Sequence, residues 1–139
     1  MPDLSNENTD SPVSGLTATA IEYAKSFDKD FDFSRESIEN LEKILEYYHQ
    51  DISKEQPTEN QIYSMALIFG SYLGESILRN ASKKDYTWKM TEDEPILYKD
   101  SAYQMAPVAK VYKRLVNGPE DNVISFFDIA LHIAEGGQI

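Results

Sequence analysis

The sequence predicts a mainly α fold with a minor β part: a single-domain bundle of about five helices carrying one small β-hairpin. Three observations lead there. Apolar residues recur at three- and four-residue spacings in five separate stretches. Helix start and stop residues punctuate those stretches at Ser34, Thr58, Pro107 and Gly118-Pro119. One stretch, 86–99, alternates instead and is broken by a polar turn.

Residues 1–13 are polar, with Pro2 and Pro12 and few apolar anchors, and are expected to be a flexible tail. The globular part is expected over 14–139. The first helix is predicted from Ser14 to Phe27, burying Leu16, Ala20, Tyr23, Ala24 and Phe27. In the second, Ile38, Leu41, Leu45, Tyr48 and Ile52 make one continuous stripe. Ser34 is its expected N-cap, and Phe33 with Ile38 has the spacing of a hydrophobic staple. Gln56-Pro57 ends it.

Thr58 then caps a third helix, with Gln61 completing a capping box. Its buried face is Ile62, Met65, Ala66, Phe69, Leu73 and Ile77. Ala66, Gly70 and Gly74 follow at four-residue intervals. Each helical glycine costs about 1 kcal/mol relative to alanine, so a close approach by another backbone or an aromatic ring is expected to offset it. Tyr86–Met90 and Pro95–Lys99 are predicted as two strands around the turn Thr91–Glu94. Pro107 opens a fourth helix that buries Val108, Val111, Tyr112 and Leu115. Asn117-Gly118-Pro119 stops it. Glu120 and Asp121 are expected to begin the fifth, at its positive end.

Charge is unevenly distributed along this chain of 139 residues. Residues 1–60 hold fourteen acids against five bases, and residues 61–139 hold ten against eight. A net charge of −11 opposes nucleic acid and anionic membrane and favours basic partners. No cysteine is present, which removes disulfides, thiolate metal sites and a cysteine nucleophile and fits a cytoplasmic location. No secretory signal is visible at the start, and the longest apolar stretch, Met65 to Gly74, is too short to span a bilayer.

No motif for catalysis, metal or cofactor stands out, and none is expected. Asp28, Asp30, Asp32 and Glu39 match positions 1, 3, 5 and 12 of an EF-hand calcium loop. Phe33 replaces its glycine and Arg35 its apolar residue, so a solvated loop before a capped helix is the preferred reading. His49 and His132 have no metal spacing. Glu75 and Arg79, four apart on one helix, suit an ion pair. Lys110, Lys113 and Arg114 form the densest basic cluster, with Lys83 and Lys84 elsewhere. It is too small for a nucleic-acid site and could dock on the acidic helices.

The segments Gly70-Ser71-Tyr72-Leu73-Gly74-Glu75, Trp88, and Pro107 through Asp121 resemble a group of small bacterial proteins. These share a Gly-x-Tyr-Leu-Gly-Glu helix, a tryptophan strand and a lysine-rich helix ending Asn-Gly-x-Glu-Asp. The likeness covers residues 62–128. It implies bacterial origin and a shared fold in which these parts form one unit. It brings no established activity and no site residue.

Two functional expectations follow. The first is an acidic, non-catalytic protein-binding module, concretely an immunity- or antitoxin-type inhibitor of a basic bacterial toxin. It would bind through Asp28, Asp30, Asp32, Glu39, Glu42 and Glu46. The second is an enzyme or small-ligand protein with a pocket around Tyr72, Glu75, Trp88 and Arg114, opened by the helical glycines. A homodimer joining acidic helices to the lysine cluster is a third arrangement.

Overall fold

The computed structural model describes residues 11–137, and among these it is mainly helical with a minor β part. The helices are α1 (Ser14–Ser26), α2 (Arg35–Glu55), α3 (Glu59–Asn80), α4 (Pro107–Asn117) and α5 (Val123–Ala134). Between α3 and α4 run β1 (Thr87–Met90), β2 (Pro95–Asp100) and β3 (Tyr103–Met105), an antiparallel sheet of that order. A 3-10 turn, Pro119–Asp121, separates α4 from α5.

The α3 helix is the centre of the bundle. Its capping box forms in both directions: Thr58 Oγ1 accepts from the Gln61 amide, and Gln61 Oε1 accepts from the Thr58 amide. Every residue from Phe69 to Ile77 is buried, because α1, α4 and α5 all pack against it. The small stripe does what its cost implied. A Cβ on Gly70 would lie 2.5 Å from the backbone Cα of Val108, and one on Gly74 would lie 2.4 Å from the Trp88 ring. Glycine thus lets α4 and the β1 tryptophan close onto α3.

Ser34 caps α2 as expected, accepting from the Ser37 amide at 3.2 Å, and both staple residues, Phe33 and Ile38, are buried. Trp88 of β1 pairs with Leu97 of β2, and Leu97, fully buried, anchors the sheet to the core. Pro95 sits at the start of the central strand, where its missing N–H removes no interior ladder bond.

Four expectations need correcting. Residues 1–10 of the expected tail lie outside the described residues, but Ser11 and Val13 are buried, so the globular part begins before Ser14. On α1 the buried residues are Thr17, Ala20 and Ala24, and Tyr23 is exposed. The predicted hairpin gains a third strand through the turn at Asp100, whose Oδ1 accepts from the Ala102 amide. Glu120 and Asp121 lie in the 3-10 turn, and Asn122 caps α5 by accepting from the Ile124 and Ser125 amides.

Candidate functional site

The acidic residues singled out from the sequence divide into two groups. Glu42 and Glu46 of α2 face inward onto Arg114 of α4, which is 1% exposed. Arg114 Nε donates to Glu42 Oε2 at 2.8 Å, and Nη2 donates to Glu46 Oε1 at 2.6 Å. The other Glu42 oxygen accepts from the Val123 amide at the start of α5. A hydrogen bond from Gln50 and the Arg114 guanidinium together hold the Glu46 carboxyl below its ordinary value. Glu39 pairs with Arg35, which also forks onto Asp128 of α5. The expected outward row Glu39, Glu42 and Glu46 is therefore held in ion pairs with two of the chain's own arginines. The stripe i, i+3, i+7 places these residues on one side of α2 but says nothing about what faces them.

The second group is the α1–α2 loop. Asp28, Asp30, Asp32 and Glu36 are exposed around an open concavity that Lys29, Ser34, Ser37 and Asn40 complete. Asp32 accepts from the Ser34 amide and hydroxyl. Asp28, Asp30 and Glu36 form no ion pair among the described residues. No group of three or more metal-ligating side chains suited to an ion occurs among the described residues. The EF-hand alignment also fails in geometry, because α2 starts at Arg35 and its position-12 glutamate is bound to Arg35.

The loop is rigidly based. Phe33 has φ +66°, a conformation that is unfavourable for a bulky side chain. Its amide donates to Tyr72 Oη at 2.7 Å, and its carbonyl accepts from Asn80 Nδ2 at 2.7 Å. Its ring lies between Tyr72, stacked at 4.9 Å, and the Arg79 guanidinium, 3.7 Å from the ring centroid. Ser37 Oγ donates to the Ser34 carbonyl, so the Tyr72 hydroxyl donates to Ser37 Oγ. Burial pushes the Tyr72 phenol up to about 12. Beside the loop, Phe27 touches Tyr47 and Tyr48 edge-on, and Tyr47 is 57% exposed.

The alternative set is brought together only in part: Glu75 and Trp88 meet, while Tyr72 and Arg114 bond to other partners. Glu75, 5% exposed, accepts from Ser11 Oγ and Trp88 Nε1 on one oxygen and from Arg79 Nε on the other. Tyr72 serves the loop and Arg114 serves α2. The glycines expected to open room beside Glu75 are filled by Val108, Trp88 and Pro107. His49 Nδ1 donates to the Leu115 carbonyl at 2.7 Å, a structural role. Lys110 pairs with Asp121, so much of the basic cluster is also satisfied internally.

No helix among the described residues is long and apolar enough to cross a membrane. Comparison with family models, curated proteins and solved structures finds no significant match to the chain.

Proposed function

We propose that this chain is a non-catalytic protein-binding module that docks a basic partner on the α1–α2 loop. One observation carries the reading. Asp28, Asp30 and Glu36 border an open concavity, also lined by Lys29, without forming an ion pair among the described residues, while Glu39, Glu42 and Glu46 of α2 are bound to arginine. Opposite charge gives fast, salt-sensitive association. The neighbouring Phe27 and exposed Tyr47 supply the aromatic anchors that protein interfaces favour. The docking residues are thus Asp28, Asp30, Asp32 and Glu36, with Glu39, Glu42 and Glu46 left out. An immunity- or antitoxin-type inhibitor of a basic bacterial toxin is the concrete form of this proposal, in keeping with the resemblance to small bacterial proteins.

The immobilised chain should retain a basic protein at about 50 mM salt and release it near 0.5 M, where screening is about 4 Å or shorter in range. Asp28/Asp30/Glu36→Lys should abolish retention, and the control Asp85/Glu120→Lys should preserve it. Retention that survives the triple reversal, or no retention at low salt, would sink the proposal.

A further inference from the structure

A second open cavity, of about 410 Å³, lies between the start of α3, the β1–β2 turn and the first turns of α4. Ordinary small-ligand sites span ~300–1,000 Å³. Tyr63 of α3 and Tyr112 of α4 supply aromatic walls, Glu94 of the turn supplies a carboxylate, and Glu59 and Lys113 stand at the margin. It shares no residue with the α1–α2 loop.

The walls are preformed. The Tyr63 hydroxyl donates to the Asp93 carbonyl. The turn is closed by Thr91 Oγ1, which accepts from the amides of Asp93 and Glu94. Glu94 is the anomaly. Its Oε2 is shut off from solvent and has no hydrogen-bond partner among the described residues. Burial and then Asp93 raise its carboxyl pKa, against a lowering by the Ala109 amide in the first turn of α4. Lys113 borders the same cavity yet makes no ion pair with Glu94. A carboxylate with one oxygen left unpartnered, beside two tyrosines, is what a positive group on an apolar body would complete.

We propose that this cavity binds an organic cation, a guanidinium or alkylammonium group on a short apolar body. The charge meets Glu94 and the body lies on Tyr63 and Tyr112. Rotation about the soft terminal torsion of Glu94 presents an oxygen to the ligand. Glu59 adds a second negative charge, and Lys113 is exposed and free to extend into solvent. An anionic ligand would meet both carboxylates.

The test uses the full chain and amide-resolved NMR titration. Butylguanidinium should bind saturably with Kd of about 1 mM or tighter, the range open to so small a ligand. Shifts should centre on Tyr63, Glu94, Ala109 and Tyr112. Neutral butylurea, of nearly equal shape, should bind at least about tenfold more weakly, because it lacks the charge-assisted bond. Glu94→Gln should lose a similar factor while its spectrum stays folded. Lys113→Ala, an exposed change, should tighten binding about two- to fivefold by removing a like charge. A blocked Gly-Arg-Gly peptide separates the two sources of such a cation: tighter binding than butylguanidinium marks a protein side chain, weaker binding a free small molecule. No saturable shift with either cation, equal binding of butylurea, or unchanged affinity in folded Glu94→Gln would overturn the assignment.

Discussion

Tyr72 ties three segments together through one hydroxyl. It accepts from the strained Phe33 amide, donates to Ser37 on α2, and its ring stacks on Phe31 and Phe33. Tyr72→Phe keeps the ring and leaves the Phe33 amide buried without a partner, a loss of about 1–3 kcal/mol. Urea denaturation should show that loss, and hydrogen exchange should speed first at residues 28–34. The phenol also has an alkaline signature. Its folded value near 12 exceeds the unfolded value of about 10, so its contribution is complete below pH ~10 and declines as pH rises through about 12. Arg114 is the other critical residue. Arg114→Met strands Glu42 and Glu46 against the helix interface and should cost about 3–5 kcal/mol, the range for breaking a buried ion pair from one side. A thermodynamic cycle with Glu42→Gln should show coupling, because the two groups are in contact.

At the level of elements, the pairing of α3 with α4 decides the packing. Gly70→Ala gains about 1 kcal/mol of helix propensity but drives a methyl into the Val108 backbone. Overpacking costs about 1–3 kcal/mol, and backbone cannot rotate away as a side chain can. Net destabilisation of about 1 kcal/mol or more is expected, read as a lower urea midpoint at constant slope. The elements were largely legible beforehand because their signals are local: caps at Ser34 and Thr58, apolar stripes, and the Asn-Gly-Pro stop. The close approach to Gly70 and Gly74 was legible too, since two glycines inside a helix need a neighbour. The third strand was not, because Tyr103–Met105 is only three residues and earns its strand conformation from pairing with β2. The start of α5 falls three residues later than expected, at Val123 and not Glu120, because Pro119–Asp121 forms a separate 3-10 turn before Asn122 caps the helix.

Over the whole molecule, net charge and available charge are different quantities. The composition showed an acidic first half, but the direction of Glu39, Glu42 and Glu46 depends on which arginine the fold sets opposite them. That is a tertiary fact with no local trace. The same pairs predict acid sensitivity. Arg35 holds the Asp128 carboxyl below its ordinary value, as Gln50 and Arg114 do for Glu46, Asn117 and Lys110 for Asp121, and Ser82 for Glu135. Each contribution is complete above the unfolded carboxylate value and is lost as pH falls through the lowered folded one. Glu94, raised by burial, acts in the opposite sense. With four groups against one, the urea midpoint should be flat near neutrality and fall below pH ~4. A midpoint that rises on acidification would contradict these pairings.

The contact between Gly70 and Val108 also limits how this protein can evolve. A larger residue at 70 fits only if the fourth helix backs away, and that retreat would pull the guanidinium of Arg114 out of reach of the second helix. Positions 42, 70, 108 and 114 therefore behave as one inherited character. Divergent descendants of this chain should either keep all four or replace them in concert.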